Sequence, residues 1–173
     1  MGVSGSGKTT IVERLAAHLV YVFADGDDFH PPQNVAKMAR GEPLTDADRE
    51  PWLQTLGKWI AEHHQAGRST VLACSALRRR YRDTLRRAAP PRHVVFIHLD
   101  APRAALLERM QHRTGHYMPP ALLDSQLATL EPLAADEHGI VLDATAPPDT
   151  LVEQALALLT SPDVSLAGAP RAD

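Results

Sequence analysis

The spacing of Gly2, Gly7, Lys8 and Thr9 within GVSGSGKTT constrains this chain more than any other stretch. The pattern G-x-x-x-x-G-K-[ST] is a tight turn that runs straight into a helix, and such a turn normally hangs from the end of a buried β-strand. A chain built around it is an α/β protein. Its glycines let backbone N–H groups curl around an anionic chain, and the helix behind them adds its positive end. Gly2, Ser4, Gly5, Ser6, Gly7, Lys8, Thr9 and Thr10 are therefore candidate ligands of a nucleoside triphosphate. Lys8 would reach the β- and γ-phosphates, and the Thr9 hydroxyl would ligate Mg²⁺. Only Met1 stands where the preceding strand is needed.

Beyond the loop, Ile11, Leu15 and Leu19 recur at helical spacing, widened by Val12 and Ala16, which predicts an amphipathic helix over 7–19. Four apolar runs read as buried parallel strands: VYVFA (20–24), STVLAC (69–74), VVFIHL (94–99) and, more weakly, GIVLD (139–143). Helical stretches fall between and after them, near 33–40, 48–66, 77–88, 102–113, 120–130 and 148–160. This alternation predicts a parallel sheet with helices on both faces. Thr45 and Asp48 form a helix-start pair, Pro51 fits only if it falls in the first turn, and Trp52, Leu56, Trp59 and Ile60 read as core. One domain over 1–160 is expected, with the tail 161–173 disordered.

Bulk properties remove several function classes. A net charge of -3 and a pI near 6.3 disfavour a nucleic-acid or membrane-surface binder. No apolar run approaches the ~20 residues of a membrane span, and no signal-peptide pattern is seen, so a cytoplasmic enzyme is expected. Cys74 is the only cysteine, which leaves no internal disulfide, and at the end of an apolar strand it reads as a buried small hydrophobe.

Three further clusters carry chemistry. DGDDFHP places Asp25, Asp27, Asp28 and His30 just after a strand, where neighbouring strand ends open into one crevice. A carboxylate there can accept the proton of an attacking hydroxyl or hold water on Mg²⁺. ALRRRYRDTLRR sets Arg78 and Arg82 four apart on one helix face beside Tyr81, suited to clamping an acidic substrate. Arg79, Arg80, Arg86 and Arg87 read as solvated surface. In ERMQHRTGHYMP, Arg109 and Arg113 lie at a helix end leading into a glycine-hinged loop, the pattern of a lid (about 109–119) that neutralises a transferring group. His63 with His64 and His112 with His116 have metal-like spacings without cysteine or carboxylate partners, so zinc is not expected.

The stretches GVSGSGKT, DGDDFHP, NVAKMARGEPLTDADREPWL, CSALRRRYRDTLR and ERMQHRTGHYMPPALLDSQLATLEPLAADE together resemble the gluconate kinases of the small P-loop type. The blocks 34–53 and from GHYMP to LEPL are the specific ones and separate the chain from shikimate and adenylylsulfate kinases. The resemblance implies a nucleoside-monophosphate-kinase-like fold with a five-stranded parallel sheet ordered 2-3-1-4-5. It implies transfer of the ATP γ-phosphoryl group to the 6-hydroxyl of D-gluconate. By the same resemblance Lys8 and Thr9 contact the triphosphate and Mg²⁺, Asp27 orients or deprotonates the hydroxyl, and Asp25 lies nearer the metal, the two being able to exchange roles. His30, Arg49, Ser75, Arg78, Tyr81 and Arg82 fall in the gluconate pocket, Arg109, Arg113 and His116 fall on the lid, and a homodimer is expected. The alternatives are a P-loop kinase for another small acidic hydroxy-substrate and a truncated, non-catalytic nucleotide-binding protein.

Two departures from the family pattern stand out. Position 78, often lysine, is arginine here, which keeps the charge but changes its geometry. The apolar strand ahead of the loop is missing, and in the family methionine often directly precedes GVSGSGK, so Met1 reads as an internal methionine. The missing strand would be the central one, and the chain without it is expected to fold poorly or act weakly.

Overall fold

The computed structural model describes residues 1–112 and 120–160. Ile11, Leu15 and Ala16 share a buried face, and Gly7 starts helix α1 (Lys8–Leu19) from a left-handed conformation. Val20 ends it with φ 55° and is 90% exposed. A β-branched residue in that conformation cannot also begin a strand, so β1 is Val22–Asp25, two residues later than the apolar run suggests. A 3-10 turn (Gly26–Phe29) and α2 (Pro32–Ala39) lead to α3 (Asp46–Gln65). There Thr45 and Asp48 form the expected reciprocal cap, with Asp48 N–H on Thr45 Oγ1 at 3.2 Å and Thr45 N–H on Asp48 Oδ2 at 2.7 Å.

Pro51 lies inside α3, in its second turn and not its first. It is tolerated because both Pro51 and Ala47, whose carbonyl loses a partner, are exposed to water. After β2 (Thr70–Ala73), Ala76 turns through φ 43°, which delays α4 to Arg79–Arg86. The chain continues through β3 (Phe96–Asp100), α5 (Arg103–His112), α6 (Pro120–Thr129), β4 (Gly139–Asp143) and α7 (Pro148–Leu159). No described helix is long and apolar enough to cross a membrane.

Among the described residues, four strands form two separate parallel pairs. Val22 lies opposite Thr70 in β1–β2, and Phe96 lies opposite Gly139 in β3–β4. Helices α1 and α7 pack on one side and α3 and α4 on the other. Ile11, Leu15, Leu99, Leu106, Leu142 and Leu151 belong to one buried cluster, and Trp52, Leu53, Leu56, Tyr81, Leu85 and Phe96 to a second. The fold is thus the expected α/β arrangement, with an opening in the sheet.

That opening lies between β2 and β3, where the expected order puts the central strand. Met1 bridges its upper end: its amine donates to the Ile97 carbonyl, its carbonyl accepts from Leu99 N–H at 2.9 Å, and the next N–H, of Gly2, reaches the Ser75 carbonyl at 3.2 Å. Below Met1 a cavity of about 170 Å³ is lined by apolar side chains including Leu15, Val71, Leu72, Val95 and Ile97. Met1 and Gly2 therefore tie the two strand pairs together at that end of the opening. Placing about five apolar residues ahead of Met1 is expected to fill this cavity. It should raise the unfolding free energy by about 3 kcal/mol or more, through ladder hydrogen bonds of ~1 kcal/mol each plus apolar burial. Urea denaturation checks it, and an unchanged midpoint would mean that these edges do not accept a strand.

Candidate active site

The loop carries its ligand-binding geometry in the backbone. Gly7 (φ 88°) has open space where a side chain would project, and no side chain caps the helix end behind it. At Gly5 (φ 80°) a Cβ would come within 2.9 Å of the Leu106 carbonyl, so α5 presses directly on the loop. Lys8 folds back over the turn with Nζ donating to the Val3 carbonyl at 3.0 Å. Ser4 N–H is held by Gln126 Oε1 at 2.7 Å, and Gln126 Nε2 donates to Ser4 Oγ at 3.2 Å, which anchors the loop to α6. Ser6 is buried and Thr10 exposed in the first helical turn.

The decisive contact joins loop and acidic turn: Thr9 Oγ1 donates to Asp25 Oδ2 at 2.9 Å. The other oxygen of Asp25 accepts from Asp27 N–H at 3.1 Å, which shapes the 3-10 turn and leaves the Asp27 carboxylate exposed. A hydroxyl and a carboxylate oxygen side by side at the mouth of a phosphate loop are hard oxygen donors of the kind Mg²⁺ takes. The donor set therefore fits a triphosphate with its metal. Trp52 Nε1 donates to the Gly26 carbonyl at 2.7 Å, so an indole counted as core also pins the acidic turn.

His30 stacks on Trp52 at 4.3 Å between ring centroids and 13° between planes. Burial, aided by the Arg49 charge, lowers its pKa from 6.5 to about 4, so the imidazole is neutral. The Arg49 guanidinium lies 5.8 Å from the Tyr81 ring centre. The Tyr81 ring is buried while its hydroxyl donates to Asp46, and Arg78 Nη1 reaches the same carboxylate at 3.3 Å. Ser75, half-buried, contributes its carbonyl to the loop through Gly2. His30, Arg49, Arg78 and Tyr81 thus gather where α3, α4 and the acidic turn meet.

Arg82 does not join them. Its side chain is wholly buried, with Nε and Nη2 each 2.7 Å from Glu137, which is equally buried. Its other donors meet the carbonyls of Ala76, Leu77, Glu131 and Pro132. Although Arg78 and Arg82 are four apart, Arg78 is the residue before the helix and not part of its face, so the two diverge. Arg79, read as surface, makes two bonds to Asp136 at 2.7 and 2.6 Å, and its N–H meets Glu131 Oε2 at 2.7 Å. These partners in 131–137 are not identified from the sequence; the three carboxylates of LEPLAADE, opposite an arginine run, are the available signal. Arg109 Nη2 donates to the Ala144 carbonyl at 2.6 Å, which ties the end of α5 to the strand end beside it. Arg113, His116 and most of the expected lid lie outside the described residues, as does the tail 161–173. Cys74 is buried as expected, and burial pushes its thiol up to about 12.

Comparison with known proteins follows this geometry. A family profile described as an AAA domain matches residues 1–133. The Gluconokinase of Gluconobacter oxydans (strain 621H) is 49% identical over 154 residues, covering 89% of this chain and 85% of the relative. The chain belongs to the gluconokinase family. Among solved structures, a sugar kinase from Janibacter sp. HTCC2649 superposes with a TM-score of 0.88 at 51% identity, covering 95% of both chains. A gluconokinase from Sinorhizobium meliloti 1021 gives 0.81 at 46% identity, covering 92% of this chain and 88% of the other.

Two predictions follow from the site's supports. Arg82→Met or Glu137→Leu alone leaves a buried charge without its partner and is expected to cost about 3 to 5 kcal/mol. The double replacement should recover most of that, as read by denaturant unfolding. For His30, the folded pKa near 4 lies below the unfolded 6.5, so the unfolded chain takes up the proton first as pH falls. The stability contributed by neutral His30 is complete above pH 6.5 and is lost toward pH 4. His30→Asn should flatten the fall in Tm across that window; an NMR titration of His30 centred near 6.5 would contradict it.

Proposed function

We propose that this kinase transfers the γ-phosphoryl group of ATP to the 6-hydroxyl of D-gluconate. The observation that carries the reading is the 2.9 Å Thr9–Asp25 bond, which puts the phosphate loop and the acidic turn in one crevice. Membership of the gluconokinase family supports the substrate. In this reading the loop N–H groups from Gly2 to Thr10 and the Lys8 ammonium hold the triphosphate. Thr9 and Asp25 hold Mg²⁺, which when bound offsets charge on the phosphate oxygens. Asp27, exposed beside them, orients the acceptor hydroxyl and takes its proton as the new P–O bond forms and the bond to the ADP oxygen breaks. His30, Arg49, Ser75, Arg78 and Tyr81 receive gluconate, the arginines facing its carboxylate. Arg109, with Arg113 and His116, serves the lid. The use of ATP supports a cytoplasmic setting, and the family resemblance supports a homodimer.

A coupled ADP-release assay over gluconate, shikimate, adenylylsulfate and nucleoside monophosphates tests the substrate; a preference for anything but gluconate would overturn it. Asp27→Asn is expected to lower kcat about 10²- to 10⁴-fold while equilibrium binding of ATP is retained. Full turnover in that variant would move the proton-accepting role to Asp25.

A further inference from the structure

Asp46 opens α3 against the start of α4, and its carboxylate is gripped from three directions. One oxygen accepts from Arg78 Nη1 at 3.3 Å and pairs with Arg80 Nη2; the other accepts from the Tyr81 hydroxyl. Arg78 is a donor that the proposed function gives to the carboxylate of the substrate, and Tyr81 lies beside it in the same pocket. A carboxylate of the chain itself thus stands among groups suited to a carboxylate from outside.

We propose that Asp46 is a specificity-determining residue whose carboxylate occupies the substrate-anion position of the free enzyme and yields Arg78 and Tyr81 to the incoming sugar acid. The inference rests on the gluconate reading above. Two carboxylates cannot share one small donor cluster without strong repulsion, so one must leave. The Asp46 side chain is 45% exposed and can turn to water, whereas Tyr81 is fixed in the core and only its hydroxyl reaches the site. The bonds from Tyr81 and Arg80 hold the Asp46 carboxyl below the usual carboxylate range, so it remains a charged competitor at neutral pH.

The exchange gives discrimination that a bare arginine cluster lacks. A small anion such as acetate must break the internal contacts and offers nothing beyond its charge. A sugar acid breaks the same contacts and also gains hydroxyl contacts with the rest of the pocket. Rejection of the wrong anion is thereby built from an occupant already present.

Steady-state kinetics of Asp46→Asn against wild type test it. The variant is expected to show a KM for gluconate lower by about five-fold, the loss of one partly exposed ion pair as competitor, with kcat within about two-fold. Acetate should inhibit the variant competitively at concentrations that leave the wild type untouched. A KM unchanged or raised, with no new inhibition by acetate, overturns the exchange. Should the variant not fold, ¹³C NMR of the wild type decides: gluconate should raise the Asp46 pKa toward the ordinary carboxylate range, and an unmoved titration sinks the proposal. A wild type that phosphorylates gluconate while failing these tests refutes the exchange alone. One that neither binds nor phosphorylates gluconate refutes the substrate reading and the exchange with it.

Discussion

The loop's attachment to both halves of the sheet is the constraint on which the rest of this structure depends. A phosphate loop needs a rigid origin, because N–H groups a fraction of an ångström out of place no longer converge on one anion. Here that origin is Met1 and Gly2, whose bonds run to Ile97 and Leu99 on one side and to Ser75 on the other. Among the described residues the half-sheets share no strand ladder with each other. Whatever holds β2 at a fixed distance from β3 therefore also holds the loop open, and the α1 side chains Ile11 and Leu15 lining the cavity take part in both tasks.

Much of this was legible in the sequence where local chemistry decides local structure. The loop-to-helix transition, the Thr45–Asp48 cap and β4 at 139–143 follow from residue types at short spacing. The opening in the sheet was legible too, because the expected strand order leaves two neighbours facing a gap. Boundaries slipped where a single residue took an unusual φ: Val20 delays β1, and Ala76 delays α4. Such angles are set by what the flanking helices pack against, which no spacing rule records.

The arginine-rich stretch shows the other limit. Periodicity places Arg78 and Arg82 on one face, but where each guanidinium ends depends on acids 32 to 57 residues away in sequence. Glu137 draws Arg82 into the core, Asp136 and Glu131 hold Arg79, and Asp46 holds Arg78 and Arg80. A run that reads as an Arg78–Arg82 clamp on a solvated basic face divides into a buried tie at Arg82, a surface tie at Arg79 and a cluster of Arg78 and Arg80 at the crevice. Only the last has charge to offer a ligand, and its partner is partly exposed, as a replaceable partner must be.

These ties give the two sides of the crevice different stiffness. On the side of α3 and α4, Trp52 fixes the acidic turn, His30 stacks on the same indole, and Tyr81 belongs to the same buried cluster as Trp52. On the phosphate side, the loop is held by Met1, Gln126 and the press of α5. The Thr9–Asp25 bond crosses between them at the level of the strand ends. Since Asp25 also shapes the turn that carries Asp27, any shift of the half-sheets that lengthens this bond displaces both the Thr9–Asp25 pair and the Asp27 carboxylate. Sheet spacing and crevice geometry are in this way one property, and the bonds of Met1 and Gly2 support both.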